Sequence, residues 1–386
     1  MNTAEKSLMQ KLSYDPLHVI PASLPPHPRL TLTLARLERT RQQLATTDWV
    51  KLAFDRVMQR LQEGLEIPGR WTDPAKPDVD EALAYACRSA VAGALTGEQR
   101  WWDESIRVMR ALAAECEGWM VAGWSGQQPG VPLHMSQLRL YAMIYDLLAA
   151  RPLDPKTDAN LKRVLALRAQ GLESCPHRFC NNYGTWNQAC RLAVGLALGD
   201  RQVIHDAFYG LERGGIWRYG FVHTLRHALL ADGMHWERSP GYHYYSLMGF
   251  AEFADLAAGS GMDIWHLKLP SLTDAEGCHL HRDLGPAGDR ELKWLFDAPF
   301  YQAFGNRDMP MLHDSGLSNL RGVHVWGPIY DLAYQAYRDP KYAWLIEAME
   351  REYLERPCPG LPMPLQTKTD YYDFVRMEAA THPSGR

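Results

Sequence analysis

Residues 193–211 read AVGLALGDRQVIHDAFYGL, an apolar run at helical spacing, a Gly199-Asp200 break, and a second apolar run at the same spacing. The unit is a helical hairpin. It recurs as VAGALTGEQRWWDESIRVMRAL at 91–112 and as YDLAYQAYRDPKYAWLIEAM at 330–349, with a Gly or an Asp-Pro pair at the break. Hairpins repeating at wide and irregular spacing fit a solenoid or a closed toroid. Long non-repeating inserts at 115–135, 174–185, 231–241 and 296–322 favour the toroid, whose loops build a cleft.

Working outward, helical texture begins at Leu30 and returns at 81–95, 104–114, 136–149, 158–172, 186–198, 202–212, 221–230, 241–258 and 328–353. Strand-like alternation is scarce. The patterning predicts an all-α protein, an (α/α) toroid or incomplete α/α barrel built from helical hairpins. Residues 1–30, rich in proline, form an irregular lead-in; 31–355 form the toroid; 356–386 form a tail expected to be loosely ordered over 371–386.

The 386 residues, 46% of them apolar, suffice for a sizeable core. A formal charge of -4, from 41 basic and 45 acidic residues, gives no global field for nucleic acid or a membrane surface, so a polyanion would have to meet a local basic patch. Seven cysteines without a CxxC pair argue for reduced thiols rather than a disulfide framework or zinc ribbon. The opening MNTAEKSLMQKLSYDP lacks an apolar leader core, and no stretch approaches the roughly 18 apolar residues of a membrane span. A soluble, cytoplasmic protein is the expectation.

Chemistry concentrates in two segments. Asp232 to Tyr245 reads DGMHWERSPGYHYY. Ser239-Pro240 is an N-cap followed by a first-turn proline, so Tyr242 and His243 fall in the first turn of a helix. There the helix dipole and Arg238 favour negative charge, and a tyrosine should ionise more readily. The second segment, NNYGTWNQ at 181–188, precedes an apolar helix. Its Asn amides suit a carboxylate and Trp186 suits a sugar face, while capping and packing would account for the same residues. Removing a proton alpha to a carboxylate needs donors that neutralise the charge, a base, and an acid for the departing oxygen. Asn182 and Arg238 meet the first need and Tyr242 the other two, with His235 and His243 assisting.

NNYGTW resembles the Asn-Asn-His-x-x-Trp segment of alginate lyases, and the segment from Asp232 resembles both their Arg-x-x-x-Tyr-His-x-Tyr segment and the Asp-Gly-Met-His-x-Glu-x-Ser-Pro-x-Tyr-His stretch of heparinase II/III-like lyases. The resemblance implies an α/α toroid and β-elimination of a uronic-acid polysaccharide, alginate or oligoalginate first. It makes Asn182 and Arg238 charge neutralisers and Tyr242 the acid and base, and it places Tyr183 where a His is usual. Trp186, Gln188, Arg139, Trp124, Tyr245 and His313 are the expected substrate contacts, with Trp119, Gln137 and His134 beside them. The expected partner is an anionic polysaccharide, with no nucleic acid, membrane or cofactor. The Cys278, His279, His281 and Asp283 cluster has metal-binding residue types but no second cluster to complete a site, so no metal is expected.

Three alternatives remain. One is a heparin-type lyase toroid without its β-sandwich. Another is a glycoside hydrolase using Asp232 and Glu237, and the last is a non-catalytic glycan-binding protein.

Overall fold

The computed structural model describes residues 19–65, 79–119, 132–173, 180–213, 216–269, 289–313, 315, 319–320, 328–355 and 373–376. The helices are α1 (Leu34–Leu44), α2 (Asp48–Leu65), α3 (Val79–Thr96), α4 (Gln99–Trp119), α5 (Pro132–Ala149), α6 (Pro155–Glu173) and α7 (Asn182–Leu198). They continue with α8 (Arg201–Tyr209), α9 (Phe221–Ala228), α10 (Pro240–Gly259), α11 (Lys293–Gln302), α12 (Ile329–Tyr337), α13 (Pro340–Glu355) and the short α14 (Asp373–Arg376).

Alternate helices pack side by side. α3 lies on α5, α5 on α7, α7 on α10 and α10 on α12, while α2, α4, α6, α8 and α13 back this inner ring. The sequence accounts for the layering. Every residue from Gly184 to Ala197 in α7 is buried, as is every one from Ala82 to Leu95 in α3. A helix apolar on all sides has to be enclosed by others. The outer α8 instead buries only Ile204, Ala207, Phe208 and Tyr209 and leaves Arg201 and Gln202 in water. This two-layer arrangement is the (α/α) toroid.

The hairpin breaks behave as local chemistry dictates. Gly199 ends α7 in the left-handed region (φ 70), and the Asp200 side chain accepts from the N–H groups of Gln202 and Val203 to start α8. The break between α12 and α13 repeats the device with Arg338 (φ 51) and Asp339, whose carboxylate accepts from Lys341 N.

Several expectations shift. The 202–212 helix stops at Tyr209 because Gly210 (φ 84) turns the chain into the short antiparallel pair β1 (Leu211–Arg213) and β2 (Ile216–Arg218). A second pair joins β3 (Lys268–Leu269) to β4 (Arg290–Glu291). The insert at 296–322 contains most of α11, which carries Pro299 within it. Residues 27–30 dock on α5: the buried Asp146 carboxylate accepts from Arg29 N and Leu30 N at 2.9 Å each and pairs with His27 Nδ1 at 2.5 Å.

The tail is anchored at α14. Arg376 Nε donates to Asp255 Oδ2 at 2.9 Å and its Nη2 to Glu252 Oε2 at 2.9 Å. Arg36 grips Asp255 through two bonds of 3.1 and 2.6 Å, and Arg139 donates to Glu252 at 2.8 Å. Burial alone would raise the Asp255 carboxyl, but the two guanidinium groups outweigh it and hold it below its ordinary value. α1, α5, α10 and α14 are thereby tied at one buried point.

Candidate active site

The two motif segments meet at the N-termini of α7 and α10. Asn181, extended at φ -77 and ψ 177, caps α7 by accepting from Gly184 N at 3.1 Å. Ser239 caps α10, its Oγ accepting from Tyr242 N at 3.4 Å with Pro240 in the first turn. Between α9 and α10 the chain makes a tight turn in which Leu229 pairs with His235, Leu230 N donates to Met234 O, and Trp236 N donates to Ala228 O.

Three consecutive residues staple this turn to the start of α7. His235 Nε2 and Trp236 Nε1 both reach the Cys180 carbonyl, at 3.1 and 2.9 Å. Glu237 accepts from the backbone N–H of Asn182 at 2.9 Å and from its side-chain Nδ2 at 3.0 and 3.2 Å. A carboxylate therefore already sits at the positive end of α7, on two donors of one residue. Burial pushes the Glu237 carboxyl above its usual range, with the Asn182 bonds pulling partly the other way. His235 Nδ1 lies 3.3 Å from Glu237 Oε2. Because Nε2 faces a carbonyl and so carries a hydrogen, a proton between Nδ1 and Glu237 would be shared by the pair.

Tyr242 is half-buried in the first turn of α10, and Tyr245 lies on the same face by its i,i+3 spacing. Tyr245 packs at 5.6 Å from the Trp186 ring, and its carbonyl accepts from Trp186 Nε1 at 3.2 Å. Burial, with the neighbouring Tyr183 phenol, pushes the Tyr245 hydroxyl up to about 12. Tyr183, Trp186, Tyr242 and Tyr245 thus belong to the first two turns of two touching helices. That contact is close because Gly249 has no side chain: a Cβ there would stand 2.7 Å from Thr185 Oγ1. Arg238 precedes the cap in a left-handed conformation (φ 55) that sends Glu237 toward Asn182 and leaves the guanidinium exposed.

Other expected site residues are placed elsewhere. His243 is enclosed: Nδ1 accepts from His235 N at 3.1 Å, Nε2 donates to Leu295 O at 2.9 Å, and burial pulls the imidazole down to about 4. Both ring nitrogens serve the turn, so its role is positioning. Gln188 is interior and donates to Tyr219 O at 3.2 Å and to Thr224 Oγ, tying α7 to α9. Arg139 belongs to the buried ion-pair cluster with Glu252. Gln137 is buried and donates to Asp80. His313 is exposed in a left-handed turn (φ 50). Asp232, the hydrolase candidate beside Glu237, accepts from Met234 N and from Gln302 Nε2 instead of pairing with it. Trp124 and the 278–283 cluster lie outside the described residues, as do the side chains of Trp119 and His134. Among the described residues no group of three metal-binding side chains converges.

The pairing of Glu237 with Asn182 is what local reading missed, since the two lie 55 residues apart. Asn182 and Tyr242 thus stand at the N-termini of two packed helices on an α/α toroid. The alginate lyase family model matches residues 153–275, the segment that contains both motifs. The fold is similar to that of an alginate lyase from Bacteroides ovatus, with a TM-score of 0.59 and 12% identity over 89% of this chain and 99% of that one. Alginate lyase A1-III from Sphingomonas species A1 aligns with a TM-score of 0.47 and 12% identity over 76% of each chain. A comparison with curated proteins found no match.

Proposed function

We propose that the chain cleaves a uronic-acid glycan, alginate or oligoalginate first, by β-elimination. The observation that carries this reading is the carboxylate of Glu237 held on Asn182 N–H and Nδ2 at the α7 N-terminus. A uronate carboxylate needs the same donors to stabilise the charge that develops when its alpha proton is removed. Tyr242, one helix terminus away, takes that proton as tyrosinate. The electron pair becomes the new carbon–carbon double bond, and the glycosidic oxygen leaves with a proton returned by Tyr242. Arg238 supplies positive charge at the rim, and Tyr183, Trp186 and Tyr245 form the aromatic wall against the sugar.

Substrate and Glu237 compete for the Asn182 amide. The raised affinity of Glu237 for a proton, with His235 beside it, lets that side chain become neutral when a second carboxylate arrives. The test is Tyr242→Phe, which keeps the ring and the Ser239 cap while removing the acid and base. Turnover, read as the absorbance of an unsaturated uronate near roughly 235 nm, should fall about 10²–10⁴-fold. Undiminished activity would remove Tyr242 from the mechanism.

A further inference from the structure

Seven large apolar side chains stand exposed among the described residues, and Tyr301 (76%), Phe304 (59%) and Trp344 (45%) belong to one frame, with Met311 (62%) and Leu312 (45%) following in the chain. The frame joins the end of α11 and the turn after it to α13. It is built on a rigid base, with Phe300 packed against Tyr330, Tyr342 and Trp344 at 5.8, 5.9 and 6.4 Å. The turn is cross-tied by Phe304 N to Asp308 O, Arg307 N to Phe304 O and Leu320 N to Arg307 O. An exposed apolar surface on so fixed a frame marks a place where something binds.

Two cations lie on the aromatic faces. The Arg307 guanidinium stands 5.2 Å from the Trp344 ring centre, and Lys341 Nζ stands 5.7 Å from that of Tyr301. Lys341 is already paired with Asp297 and Asp339. Arg307 is different: no carboxylate among the described residues pairs with it, and the adjacent Asp308 carboxylate is taken by Asn306 and Asn319. Its backbone adopts a left-handed conformation (φ 71) that places this charge over the indole.

We propose that this surface is a second carbohydrate-binding site, for the distal sugars of a polyuronate whose cleaved bond lies at Tyr242. Indole and phenol faces suit the apolar face of a pyranose ring, and Arg307 suits its carboxylate. The surface is mechanically continuous with the site. Gln302, at the end of α11, donates to Asp232 at 3.0 Å, and Leu295 in the same helix accepts from His243. The proposal rests on the polyuronate reading for its ligand and adds chain-length dependence to it, because a polymer held at two sites gains effective concentration that a short oligomer does not.

The test uses the full chain carrying Trp344→Ala or Arg307→Gln. Binding of polymeric alginate is measured in native gels containing the polymer, on a Tyr242→Phe background, and turnover of alginate trisaccharides is measured with Tyr242 intact. Both changes are at the surface and leave the site residues in place. Polymer affinity is expected to drop about tenfold with trisaccharide kcat and KM unchanged. Unchanged polymer affinity in both variants overturns the proposal. So does light scattering that finds a dimer which Trp344→Ala dissolves, since the surface would then belong to a second copy. If the native protein binds polymer through this surface but turns over no uronate, the lyase reading falls and the binding site stands.

Discussion

Replacing Glu237 with Ala removes a side chain that joins the turn before α10 to Asn182, the first residue of α7. The loss can be built up from its contacts. Asn182 is buried, with 4% exposure, and it loses acceptors for its backbone N–H and its amide. An N-terminal helix partner is worth about 0.5–2 kcal/mol, and a buried donor left without an acceptor costs about 1–3 kcal/mol. Relief of the desolvation that raises the Glu237 carboxyl offsets part of this, giving a net loss of about 2–3 kcal/mol. Glu237→Gln keeps an acceptor for Asn182 and should lose less than about 1 kcal/mol. Urea unfolding at neutral pH measures both as shifts in midpoint at constant slope.

The pH dependence supplies a second, independent readout. Because the folded protein holds the Glu237 proton more tightly than the unfolded chain, this group's contribution is complete below the ordinary value of 4.5 and declines as pH rises through the folded value. Glu237→Gln should flatten that decline. Turnover should drop in both variants, further in Ala, since Asn182 loses its orientation. If Glu237→Ala unfolds within about 0.5 kcal/mol of the native protein and turns over normally, the staple described here has no energetic content.

Two other substitutions probe the same frame. Gly249→Ala drives a Cβ to within 2.7 Å of Thr185 Oγ1 on a rigid, β-branched side chain, so α7 and α10 must separate; thermal unfolding should report a loss of about 1–3 kcal/mol and activity should drop with it. His243→Ala should cost about 2–4 kcal/mol by orphaning His235 N and the Leu295 carbonyl. The native imidazole, pulled down to about 4, contributes stability that is present above its ordinary 6.5 and lost as pH falls toward about 4. The variant should lack that acid-side loss in a pH series of melting curves, and an unaltered acid limb would contradict the burial argument.

What the sequence disclosed is what local chemistry encodes. Ser239-Pro240 and Asn181 announce helix starts, Gly199-Asp200 announces a hairpin, and the mostly apolar runs of α3 and α7 announce enclosure. Each signal is contained within a few residues. The features that escaped are pairings across the chain: Asn182 with Glu237, Arg139 with Glu252 and Gln188 with Thr224. In each case the polar residue is read as available to a ligand because its protein partner lies tens of residues away. α11 was obscured for another reason. Pro299 reads as a breaker, but in the folded chain it falls late in a short helix buried against α10 and α12.

The buried cluster around Asp255 and Glu252 bears on the order in which the molecule is assembled during synthesis. Arg36, Arg139 and the two carboxylates are all present once residue 255 has emerged, and they make two balanced ion pairs. Arg376 arrives 121 residues after Asp255, roughly 6–24 s later at ribosomal speed. These four groups therefore leave no net charge at that buried point while the inner helices wait. The last arginine acts as a late clasp on a ring that is already electrically closed, so the timing of synthesis need not match the timing of folding.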